Sequence, residues 1–117
     1  MSILAYVTDL IFAAKITSTG QALGVGVRLV RSIESLTAAL AAGPCDRLLV
    51  DLNAGGDPIG AIRAARGLPV PPRIVAFGSH VQTDLLAAAR DAGADAVLAR
   101  SEFSTRLPEL LGHVRTD

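Results

Sequence analysis

Three charged residues stand where an apolar run gives way to a turn: Asp9 after residues 3–7, Asp51 after Leu48-Leu49-Val50, and Arg100 after residues 95–99. Carboxylates brought together attract a cation, and a guanidinium can fork onto a carboxylate or a phosphate. An acid at the end of a buried run is the informative one, because ligands of parallel α/β sheets sit outside the carboxyl ends of the strands. The plainer readings are that Asp51 is a strand-terminating turn acid and that Asp9 caps a helix.

Other polar residues have simpler explanations. Ser79 with Gln82 three positions on has the pattern of a capping box for a following helix, which places His80 in its first turn on the surface. Asp57 before Pro58 reads as a helix cap. Thr17-Ser18-Thr19-Gly20-Gln21 has the composition of a phosphate-binding loop, but such a loop must directly follow the first strand, and this one comes about ten residues later. With no Trp and only Tyr6 as a stacking ring beside three Phe, a flavin site is not expected.

Composition bounds the rest. At 117 residues the chain makes one domain, spanning 1–117, and its surplus of small apolar residues suits helices laid on a buried sheet. Eleven basic and eleven acidic residues without a Lys/Arg block leave no source for nucleic-acid or anionic-membrane attraction. Cys45 is alone, and His80 and His113 are far apart in sequence, so neither a disulfide nor a Cys/His metal cluster is expected. A reducing cytoplasm fits. The apolar start has no basic region and is broken by Asp9 and Lys15, so it reads as strand plus helix rather than a leader or a span.

The elements that must position the charged residues follow from periodicity. Residues 3–7 form a strand, and Phe12, Ile16 and Leu23 mark a helix through about Ala22. Val25, Val27 and Leu29 alternate with Gly26, Arg28 and Val30 as in an edge strand. Ser32 can cap a second helix carrying Ile33, Leu36 and Leu40, and Gly43-Pro44 stops it. The strand from Arg47 to Asp51 is followed by a helix with Ile59, Ile62 and Ala65, then by a strand from Arg73 to Phe77. A fourth helix carries Val81, Leu85, Leu86 and Ala89. A fifth strand over 95–99 leads to a last helix lined by Phe103, Leu107, Leu110 and Val114. Regular βα alternation predicts an α/β fold: a flavodoxin-like, doubly wound, five-stranded parallel sheet in order 2-1-3-4-5 with helices on both faces. That order makes the first and third strands neighbours and brings Asp9, Asp51 and Arg100 to one end of the sheet.

At this point the chain resembles the receiver domains of two-component response regulators over essentially its whole length. The resemblance is carried by Ile3-Leu4-Ala5-Tyr6-Val7-Thr8-Asp9, by Leu49-Val50-Asp51-Leu52-Asn53 and by Asp91-Ala92-Gly93-Ala94-Asp95-Ala96-Val97-Leu98-Ala99-Arg100. It implies that Asp51 is the phospho-acceptor and that Asp9, Asp51 and the backbone carbonyl of Asn53 hold magnesium. It also implies that Arg100 stands where a Lys contacts the phosphoryl group. Three key side chains depart from the pattern: Thr8 replaces the first acid of a pair, Gly78 replaces a Ser or Thr, and Arg100 replaces the Lys. Ser101 stands where a Pro commonly follows, and Val97 where a switching aromatic is common. Losing one carboxylate weakens a magnesium site, and with Gly78 and Val97 the hydroxyl-to-aromatic relay is missing.

The expected function is therefore that of a stand-alone atypical receiver in signal transduction, not an enzyme, acting by constitutive protein contact. Its partner would be a kinase, an output protein or a second copy, met through the fourth helix, fifth strand and fifth helix, where Gln82, Asp84, Arg90, Asp91, Arg106 and Glu109 lie. The alternative is a small-molecule binder or enzyme on the same fold. The two are separable: a receiver should show a small acidic pocket, and a ligand-binding protein a cleft of several hundred cubic ångströms at the strand exits. The loops after the strands are short, which argues for the former.

Overall fold

In a computed structural model, residues 2–112 are described and five strands alternate with five helices. In chain order these are β1 (Ile3–Tyr6), α1 (Leu10–Ala22), β2 (Val27–Val30), α2 (Ile33–Ala42), β3 (Arg47–Asp51), α3 (Pro58–Arg66), β4 (Arg73–Gly78), α4 (Thr83–Ala92), β5 (Ala96–Ala99) and α5 (Arg100–Gly112). The sheet has the order β2-β1-β3-β4-β5, and all four pairings are parallel. Right-handed crossovers demand a helix between each pair of strands, and the sequence supplies one each time. Val114, expected on the last helix, and His113 lie outside the described residues.

Two cores follow from strand alternation, since successive side chains leave opposite faces. Leu4, Tyr6, Leu48, Val50, Ile74 and Ala76 pack under Leu36 of α2, Ala61 and Ile62 of α3 and Ala89 of α4. Ile3, Ala5, Leu49, Val75 and Phe77 pack under Ala13 and Ile16 of α1 and Phe103 and Leu107 of α5. The three central strands are thus buried on both faces, which is why their sequences are nearly continuous apolar runs. Burying a Leu or Ile from water contributes about 1.5–3 kcal/mol, so these two layers set the position of every strand exit.

Helix starts are held by side chains that satisfy otherwise orphaned amides. Asp9 accepts from the amides of Ile11 and Phe12 at the head of α1. Ser32 and Ser35 form a reciprocal capping box on α2, and Asp57 accepts from Gly60 ahead of Pro58 on α3. Thr17, Ser18 and Thr19 lie inside α1, with their hydroxyls bonded to the carbonyls of Ala13, Ala14 and Lys15, so this stretch is helix and not a phosphate loop. No helix among the described residues is long and apolar enough to cross a membrane.

Several boundaries differ from the sequence expectation. Residues 79–82 form a turn before α4 rather than its first turn: the Gln82 amide donates to the Ser79 carbonyl, while the Ser79 hydroxyl accepts from Val81. Gln82 is the residue preceding α4 and caps it with no side-chain bond. The expected Ser79/Gln82 capping box is therefore not formed, His80 sits in the turn, and Val81 is 71% exposed instead of lining α4. Gln82 Oε1 still accepts from the Ser79 amide at 3.4 Å, but the Gln82 amide goes to the Ser79 carbonyl rather than to its hydroxyl, so only half of the box is present. Leu23 caps the end of α1 and is exposed, and β2 begins at Val27 rather than Val25. At the other edge β5 passes into α5 without a loop, so Arg100 is the first residue of that helix.

Candidate functional site at the strand exits

β3 delivers Asp51 to the carboxyl end of the sheet as its last residue, and parallel pairing sets it level with Phe77 of β4. Asp51 is 2% exposed, the one buried charged residue among those described. Its Oδ1 accepts from the Asn53 amide at 2.9 Å and from Arg100 Nη2 at 3.3 Å. Desolvation raises its carboxyl above the ordinary value of 3.8, the Asn53 amide and Arg100 oppose that rise, and the Asp9 charge adds to it.

Arg100 is held from three sides. Nη2 donates to Asp51 Oδ1 and, at 2.8 Å, to the side-chain carbonyl of Asn53. Below it lie all three phenylalanines of the chain: Phe77 and Phe103 are stacked with centroids 3.8 Å apart, and Phe12 is tilted against both. The guanidinium carbon is 5.3 Å from the Phe12 centroid and 5.9 Å from that of Phe77, close enough for cation–π attraction of about 0.5–1 kcal/mol or more. Asn53 then donates to Gln82 Oε1 at 2.9 Å, which also accepts from the Ser79 amide at 3.4 Å. The result is one polar chain running Asp51, Arg100, Asn53, Gln82 across the exits of β3, β4 and β5.

Thr8 has a different task. Its hydroxyl accepts from the Gly55 amide at 3.0 Å, tying the β1 exit to the loop after β3. The buried Tyr6 holds the same loop from below, donating to the Gly55 carbonyl at 3.0 Å and accepting from the Asp57 amide at 3.2 Å. Gly56 completes the turn with φ +84, and a Cβ there would come within 2.6 Å of the tyrosine oxygen. Tyr6 is thus a loop anchor rather than a stacking platform.

The donors for a magnesium ion can be tested on this geometry. Oδ1 of Asp9 is spent on two helix amides and Oδ1 of Asp51 on an amide and Arg100, which leaves one oxygen of each, with the Asn53 carbonyl, for a cation. No group of three or more His, Cys, Asp or Glu with metal-binding geometry exists among the described residues. The set fits a weak divalent site that must compete with the guanidinium already at Asp51.

Gly78 ends β4 without a hydroxyl, and a Cβ there would meet Leu52 and Leu86 at 3.5–3.6 Å, an ordinary contact. Val97 is half-buried against the α2–α4 core. Cys45 is half-buried, its Sγ 3.1 Å from the Arg47 carbonyl, and burial pushes the thiol up, so it is not poised as a nucleophile.

Beside Arg100 lies an open groove of about 510 Å³, the size expected of the ligand-binding alternative, lined by Phe12, Ser79, His80, Arg100, Ser101 and Ser104. Its walls are the head of α5, Phe12 of α1 and the turn at Ser79 and His80, so short connections did not prevent it. Neither the phenylalanine stack nor the Gln82–Asn53 link was legible from periodicity, although each Phe lies within three residues of a charged or glycine strand exit: Asp9, Gly78 or Arg100.

No family model matches the chain, and no curated protein does. Solved structures do. A protein assigned as a response regulator from Chloroflexus aurantiacus J-10-fl superposes with a TM-score of 0.82 at 20% identity, covering 93% of this chain and 92% of that one. The receiver domain of NtrX from Brucella abortus gives 0.80 at 15% identity, covering 92% of each chain. A response regulator from Burkholderia pseudomallei, solved with a phosphorylated aspartic acid, calcium and citrate, gives 0.76 at 20% identity over 93% of this chain and 69% of that one. The chain spans 25% of a longer NtrX structure. At these identities the likeness concerns architecture: the chain has the fold of response-regulator receiver domains.

Proposed function

We propose that this chain is a receiver-type module of signal transduction that acts by a constitutive protein contact, with Asp51 kept as a phospho-acceptor position of low reactivity. One observation carries the reading: Arg100 reaches both Asp51 Oδ1 at 3.3 Å and Asn53 Oδ1 at 2.8 Å over a phenylalanine floor. To take a phosphoryl group, an Asp51 oxygen must form a bond to phosphorus as the donor's bond to its leaving group breaks. A carboxylate held by a guanidinium and an amide is a poorer nucleophile, because both contacts withdraw the electron pair. Asp9, Asp51 and the Asn53 carbonyl would hold a magnesium ion, which when bound neutralises charge on the phosphoryl oxygens. Arg100 competes for the same carboxylate.

The output side supports the same reading. With Gly78 and Val97 in place, the hydroxyl and the aromatic ring that the resemblance would put at those two positions are missing between Asp51 and the α4–β5–α5 surface. Asp84, Arg90 and Asp91 are exposed there, whereas Arg106 is paired with Glu102 and Glu109 along α5, and Gln82 is engaged by Asn53. Mixed charge of this kind suits reciprocal pairing with a second copy, a kinase or an output protein. A ligand shifts an equilibrium only by binding two states differently, so the contact should not depend on phosphorylation. Analytical ultracentrifugation of wild type, Asp51→Asn and phosphate-mimic-treated protein should give one self-association constant. A change of roughly tenfold or more, about 1.4 kcal/mol, on treatment would show that a switch survives by another route.

A further inference from the structure

The open groove at the head of α5 has a composition that the receiver reading leaves unused. Of its six lining residues none is acidic, three carry hydroxyls, one is a guanidinium and one is a phenyl ring. Arg100 spends only Nη2 on Asp51 and Asn53, and its Nε and Nη1 have no hydrogen-bond partner among the described residues. The hydroxyls of Ser101 and Ser104 likewise have none there. Residues 100 and 104 are one helical turn apart and so share a face of α5. Phe12, whose ring lies under the Arg100 guanidinium and against Phe77 and Phe103, lines the same groove. Unspent donors beside one aromatic ring, in an open cleft of about 510 Å³, supply the convergent polar groups and the ring face that a small polar ligand needs.

We propose that this groove is a binding site for a small aromatic anion, a carboxylate or phosphomonoester on a flat ring. The charged head takes the free guanidinium edge of Arg100 and the Ser101 and Ser104 hydroxyls, and the ring lies against Phe12. Arg100 serves two anions at once, so Asp51 and the ligand compete for its charge. Neutralising Asp51 should therefore tighten ligand binding, a coupling that a groove unconnected to Asp51 would not show. The proposal requires nothing of the protein contact described above.

Amide chemical-shift titrations with phenyl phosphate, benzoate and inorganic phosphate test it on the whole chain without magnesium. The expected result is saturable shifts at Phe12, Ser79, Ser101 and Ser104 for one or both aromatic anions, with inorganic phosphate weaker by roughly tenfold. Ser104→Trp, which fills the groove without reaching Asp51, should weaken binding by a similar factor, and Asp51→Asn should strengthen it severalfold. The proposal is overturned if neither aromatic anion gives saturable shifts, or if Ser104→Trp changes nothing. Equal binding of phenyl and inorganic phosphate would also overturn it, by showing attraction to charge alone. So would shifts centred on Asp51 and Asn53, which would place the anion at the carboxylate instead.

Discussion

Asp51 and Arg100 form a buried carboxylate and a half-buried guanidinium, and the balance between desolvation and pairing decides what each does. Desolvation dominates at Asp51, because its carboxyl is raised despite the Asn53 amide and Arg100. The sign of the pH dependence follows. Between the unfolded carboxyl value near 3.8 and the raised folded value, the native state binds more protons than the unfolded one, so Asp51 subtracts stability as pH rises through that window. Asp51→Asn removes this cost while keeping an acceptor for the Asn53 amide. The variant should be more stable near neutral pH, with a higher Tm, and the gain should vanish in acid. Thermal melts of both proteins across pH measure it. A variant less stable at neutrality would mean that the ion pair with Arg100 outweighs desolvation.

At the scale of elements, the loop after β3 matters as much as the strand that precedes it. It is pinned by Thr8 from β1 and by the Tyr6 hydroxyl, and it sets where Asn53 can meet Arg100. Tyr6→Phe keeps the packing but leaves the Gly55 carbonyl and the Asp57 amide without that partner. Such a loss costs about 1–3 kcal/mol, and hydrogen exchange at Gly55 to Asp57 should quicken with it. Unchanged exchange in the loop would mean that water replaces the hydroxyl fully. Thr8, placed where the resemblance puts an acid, thus has a structural use that charge counting at the magnesium site did not reveal. Sequence spacing showed the departure from the pattern; only the register of β1 against β3 showed what the hydroxyl does.

For the whole molecule, the sheet order was legible because five apolar runs alternate with five helical periods and the alternating run belongs at an edge. The contact of Asp51 with Arg100 followed from that order alone. What stayed hidden depends on side-chain reach rather than on period: the phenylalanines from α1, β4 and α5 collecting under one guanidinium, Gln82 turning from its helix toward Asn53, and the groove that this geometry leaves open. Arg100 lies 3.3 Å from Asp51 Oδ1, and in the proposed reading it takes the place beside that carboxylate that a divalent cation would occupy. Magnesium titration of wild type and Arg100→Gln, followed by the side-chain carboxyl shifts of Asp9 and Asp51, tests it most directly. Weak binding is expected in wild type, in the range of roughly 10 mM or above, with affinity improved tenfold or more once the guanidinium is gone. Equal or weaker binding by the variant would contradict the claim, since it would mean that Arg100 does not compete for the carboxylate.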